Sequence, residues 1–98
     1  MKILDFIRRR RSEKQLLEIL LSNGEKYGNG LCLLTATIYV EDQINFREFN
    51  YLIKYLRDNR PKIGSPHFDP KMEHSDYYWP VGEWQPRKLW LEDQIKSL

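Results

Sequence analysis

The segment from Asn45 to Leu56 constrains this chain more than any other stretch. Asn45, with Glu48 three residues on, has the form of a helix-opening capping box. Phe46, Phe49, Leu52, Ile53 and Leu56 then recur at steps of three and four, which lays them along one side of a helix. Tyr51 and Tyr55 flank that stripe. Pro61 forces Arg60 out of helical geometry, so the helix ends near Asp58 or Asn59. An isolated helix of this length is marginal in water, so its apolar side needs partners from the rest of the chain.

Those partners read as further helices. Ser12 and Gln15 form a second capping box, followed by Leu16, Leu17, Ile19, Leu20 and Leu21. Asn23-Gly24 has the form of a C-terminal stop, which predicts a helix over Ser12 to Ser22. Ile3, Phe6 and Ile7 have helical spacing too, so the first 22 residues form either two helices or one. The run Leu31 to Val40 (LCLLTATIYV) suits a buried strand or a buried helix. A lone strand would leave its backbone unpaired, which favours a helix reaching about Asp42. Pro86 fits the first position of a last helix, with Leu89, Trp90, Leu91, Ile95 and Leu98 as its apolar residues. The predicted architecture is all-α. It is a single-domain bundle of about four helices over residues 1–98, with a basic N-terminal arm at 1–11 and a long proline-containing loop at 61–82 before the last helix.

Composition narrows the functional classes. The chain has 98 residues, too few for two independent cores. Sixteen Lys and Arg against fourteen Asp and Glu leave +2, too nearly balanced for a general polyanion binder. The charge is uneven, because residues 1–15 carry +4. No apolar run approaches the roughly 18 residues of a membrane span. The basic run follows the first apolar residues, unlike a secretory signal, and these features predict a soluble, intracellular protein. A single cysteine, Cys32, excludes an internal disulfide and a multi-cysteine zinc site, and its apolar setting predicts an inert packed thiol.

The chemistry worth testing lies in the C-terminal third. Arg57, Arg60, Lys62, Arg87 and Lys88 stand in sequence beside Tyr77, Tyr78, Trp79, Trp84 and Trp90. Arginine offers a bidentate fork to phosphate, a helix start offers free N–H groups, and aromatic faces can stack a base. Arg57, Arg60, Arg87, Lys88, Tyr77, Tyr78, Trp79 and Trp84 are therefore the predicted ligand-binding residues. The competing reading packs the rings into the core and pairs the arginines with Asp58, Glu83 and Asp93. Arg8 to Arg11 would attract phosphate or an acidic surface, but four successive residues point around a whole helix. His67, Asp69, Glu73, His74 and Asp76 are metal-capable types without a metal-ligand spacing, so no metal site is predicted. Ser65 and Ser75 have histidines nearby but no evident orienting group, and Glu41-Asp42 reads as a solvated pair. No cofactor and no enzymatic activity are predicted.

From Gly30 onward the layout resembles a group of small bacteriophage accessory proteins. The shared pattern is a helix ending in Tyr55-Leu56-Arg57-Asp58-Asn59-Arg60-Pro61, then Trp79-Pro80-Val81-Gly82, Pro86-Arg87 and Trp90-Leu91. The resemblance implies a setting, the cytoplasm of an infected bacterium, and assigns no residue a role. Combined with the arginine and ring content, it suggests a protein that counters host immunity by sequestering a nucleotide-like small molecule. The alternative partner is a host defence protein, docked directly. A nucleic-acid role for the arm ranks behind both, and a homo-oligomer is compatible with either.

Overall fold

The computed structural model describes residues 11–27, 30–68 and 84–98. Four helices occupy them: α1 (Glu13–Tyr27), α2 (Leu31–Val40), α3 (Phe46–Asp58) and α4 (Trp84–Lys96). The all-α expectation holds, and α2 is a helix rather than a strand. α1 packs against both α2 and α4, and α2 packs against α3. Leu16, Leu17 and Leu20 of α1 meet Leu31, Leu34 and Ile38 of α2, Leu52 and Leu56 of α3, and Trp84, Trp90 and Leu91 of α4 in one core. No described helix is long and apolar enough to cross a membrane.

Both capping boxes form. At α1, the Ser12 N–H donates to Gln15 Oε1 at 2.8 Å, and the Gln15 N–H donates to Ser12 Oγ at 3.2 Å. At α3, the Glu48 N–H donates to Asn45 Oδ1 at 2.8 Å, and the Asn45 N–H donates to Glu48 Oε1 at 2.9 Å. The same Glu48 oxygen takes the Arg11 guanidinium at 2.7 Å, so the last arginine of the basic arm anchors α3. Arg11 and Ser12 are non-helical ahead of this cap, so no single helix runs through the first 22 residues; residues 1–10 themselves lie outside the described residues.

α1 does not stop at Asn23-Gly24 but continues to Tyr27. Asn23 is a cross-link rather than a terminator. Its side-chain amide donates to the Ile19 carbonyl at 2.8 Å and exchanges a reciprocal pair of 3.0 Å bonds with Gln43. Gly24 is buried, with the Trp84 indole lying directly on the helix backbone. A Cβ at Gly24 would sit 1.9 Å from that ring. Glycine in a helix costs about 1 kcal/mol against alanine; here the lost propensity is offset by seating a large aromatic side chain.

α2 carries no charge along its length and bonds its own hydroxyls back. Thr35 and Thr37 Oγ1 donate to the Leu31 and Leu33 carbonyls at 2.7 and 2.9 Å. It ends in a Schellman turn. The Gln43 N–H reaches the Ile38 carbonyl, the Asp42 N–H reaches Tyr39, and Asp42 takes the left-handed φ of 61°. α3 buries Leu52, Tyr55 and Leu56, while Phe49 and Ile53 are half-buried and Phe46 is 62% exposed. The buried stripe is thus shifted toward Tyr55 and away from Phe46. α4 begins at Trp84, two residues before the expected Pro86. Proline still falls in the first turn, where no N–H has an intrahelical partner. Leu89 and Leu98, expected among its apolar contacts, are exposed.

Candidate anion site at the end of α3

The last turn of α3 is tied down by Asn59. Its backbone N–H reaches the Tyr55 carbonyl at 2.9 Å, and its side-chain Nδ2 reaches the same oxygen at 3.0 Å. The Tyr55 carbonyl is therefore satisfied without Arg60. Pro61 then turns the chain away and is itself buried. The following loop is closed by two short-range bonds, Ser65 N–H to the Lys62 carbonyl and Phe68 N–H to the Ser65 carbonyl. Gly64 has a φ of 91°, a conformation in which a Cβ is strained. The loop brings Phe68 back toward the helix end.

Between the helix end and this loop lies a cleft of about 420 Å³, lined by Arg57, Asp58, Arg60, Pro61, Lys62, Ile63 and Phe68. Arg57 comes to it from the last turn of the helix and Arg60 from the chain just beyond. Arg57 Nε stands 3.5 Å from Asp58 Oδ1, both side chains about half exposed, a pairing of small energetic weight. Arg60 differs. Its Nη1 is buried and has no hydrogen-bond partner. Lys62 is exposed and forms no ion pair among the described residues. One wall is thus cationic, and the other, formed by Ile63 and Phe68, is apolar.

The remaining predicted ligand residues fall elsewhere. Arg87 is 1% exposed and Trp84 is 8% exposed; both point into the protein rather than toward a ligand. Trp84, Arg87, Trp90 and Leu91 recur at three- and four-residue steps and form the side of α4 that is buried. Lys88 pairs with Glu25 of α1. That contact holds the Glu25 carboxyl below its ordinary value, and the Lys88 ammonium is raised in return. Trp84, Arg87 and Lys88 do not line the α3 cleft. Trp90 is buried against Tyr55, ring centroids 6.4 Å apart, and Tyr55 Oη donates to Gln94 at 2.7 Å. Tyr77, Tyr78 and Trp79 lie outside the described residues. Of the eight, the structure gathers Arg57 and Arg60, and adds Lys62 and Phe68.

Phe68 was not among the sequence-predicted residues. Its signal was weak: two isolated apolar residues, Ile63 and Phe68, in an otherwise polar loop around Gly64-Ser65-Pro66. Of the metal-capable residues only His67 lies among the described residues. His67 pairs with Asp93 at 2.6 Å, Asp69, Glu73, His74 and Asp76 lie outside the described residues, and no described group of three such residues could hold an ion. Cys32 is half-buried against the core. Glu41 accepts from the Tyr27 hydroxyl and from Gln43, and the tyrosine contact holds its carboxyl below the ordinary range.

No protein-family model, curated protein or solved structure matches this chain.

Proposed function

We propose that this chain is a non-enzymatic binder that takes up a nucleotide-derived anion in the cleft at the end of α3 and so withholds it from another receptor. The observation that carries the reading is the cleft lining, where Arg57, Arg60 and Lys62 stand with Ile63 and Phe68 and where Arg60 also holds a buried Nη1 without a hydrogen-bond partner among the described residues. Burying such a group unsatisfied costs roughly 1–3 kcal/mol, a cost that is relieved when the Arg60 guanidinium turns this nitrogen out to an anion in the cleft. Phe68 and Ile63 supply the apolar wall that a base requires. The setting that fits, given the sequence resemblance, is a phage accessory protein acting against a nucleotide-based immune signal inside an infected bacterium.

A thermal melt with a panel of linear, cyclic and ADP-ribose-type nucleotides tests this. A ligand at one hundred times its Kd stabilises by about 2.7 kcal/mol, which raises the midpoint of so small a domain by roughly 10 °C or more. Arg60→Gln should abolish the shift, whereas Lys88→Gln, on the other helix, should retain it. No shift with any member of the panel would sink the proposal.

One observation favours a second reading, direct docking onto a host protein. Tyr39, Phe46 and Phe49 form a ring cluster with centroids 4.9 to 6.5 Å apart, and Phe46 is exposed. Exposed aromatic groups of this kind serve as anchors in protein interfaces. Under this reading Phe46→Asp, not Arg60→Gln, removes activity against the host target.

A further inference from the structure

Resting on the anion-binding reading above, we infer that the headgroup this cleft takes is a terminal phosphate with two negative charges, not the singly charged diester of a cyclic nucleotide. The first argument is charge. Arg57, Arg60 and Lys62 place three cations around the opening, against the single carboxylate of Asp58, which already faces Arg57. Two positive charges are left without a counter-charge from the cleft itself. A doubly charged ligand matches both and a singly charged one matches only one, so the dianion gains the larger attraction, by an amount that falls as salt rises.

The second argument is the number and kind of donors. Arg60 makes no hydrogen bond or ion pair among the described residues and so keeps its guanidinium for a ligand, while Asn59 places both its N–H and its side-chain amide on the Tyr55 carbonyl. A guanidinium fork takes two oxygens of one phosphorus side by side. Lys62 adds a point donor on the same opening and suits a third terminal oxygen. A phosphomonoester or the end of a pyrophosphate presents three such oxygens, whereas a cyclic diester presents two. The third argument is the wall. Phe68 is half-buried and Ile63 is 77% exposed, so the apolar side is open enough to admit a flat ring beside the phosphate.

The test is calorimetric titration of the full chain with adenosine 5′-monophosphate, its 3′,5′-cyclic counterpart, adenosine and inorganic pyrophosphate at one salt concentration. The expected result is that the monophosphate binds at least tenfold tighter than the cyclic form, and that adenosine alone does not bind. Lys62→Ala should bring the two nucleotides to nearly equal affinity. Arg60→Lys, which keeps the charge and removes the fork, should weaken the monophosphate tenfold or more, with the unliganded melt unchanged as a check on folding. Equal or tighter binding of the cyclic form would overturn this inference while leaving the anion-binding reading intact. Absence of binding by all four probes, and by the nucleotide panel, would overturn both.

Discussion

Gly24 shows how one residue can carry opposite meanings in sequence and in space. Next to Asn23 it has the form of a helix terminator, yet in the fold it is the point where α1 thins to admit the Trp84 indole. Gly24→Ala should therefore destabilise by about 1–3 kcal/mol, because overpacking outweighs the roughly 1 kcal/mol of helix propensity gained. In a Trp84→Ala background the same substitution should become stabilising by up to about 1 kcal/mol, since only the propensity term remains. Urea midpoints of the four proteins decide this; additive effects would mean that the ring does not lie on the helix. Arg87 carries the same lesson. As a residue type it suggests a phosphate fork, but at 1% exposure it belongs to the interior of α4.

The elements are best understood through their ends. Both capping boxes were legible because each depends on residues three apart, within a single turn. The end of α2 was less so. Its Schellman turn needs a left-handed residue, which the sequence supplies as Asp42, whose carboxylate makes no described hydrogen bond or ion pair. Asp42→Gly removes the Cβ penalty and takes a negative charge off a helix C-terminus. It should raise stability by about 0.5–1 kcal/mol, read as a higher urea midpoint with unchanged slope. A fall in midpoint would show that the aspartate side chain contributes to the turn. The buried stripe of α3 was right in period and shifted in phase. Leu52 and Leu56 lie inside with Tyr55, while Phe46 faces outward, because α2 covers only one side of α3.

At the scale of the whole molecule, stability at alkaline pH reports how α1 and α3 meet. Tyr51 of α3 is pushed up to about 12, first by burial and then by the neighbouring Glu13 of α1. Tyr55 is raised too, again chiefly by burial. A raised folded-state value means that the folded chain holds the proton more tightly than the unfolded chain. The stabilisation is therefore complete below the ordinary tyrosine value of 10.0 and is lost as pH climbs from there to about 12. Tyr51→Phe should flatten that alkaline limb, and Tyr55, still present, should leave a residual slope. Urea midpoints measured from pH 9 upward give the comparison, and identical limbs would refute the placement of Tyr51.

Period, caps and proline placement act within a few residues, so the sequence alone determined that the chain is helical, roughly where α1, α3 and α4 begin and where α3 ends. It also marked Arg57 and Arg60 as unusual at a helix end. Which side of each helix turns inward depends on contacts between residues far apart in the chain. Tertiary packing therefore decided that Trp84 closes on Gly24, that Arg87 is interior and that Lys88 goes to Glu25. It also decided that Phe68 returns to stand with Arg57, Arg60 and Lys62, a juxtaposition that local spacing does not encode.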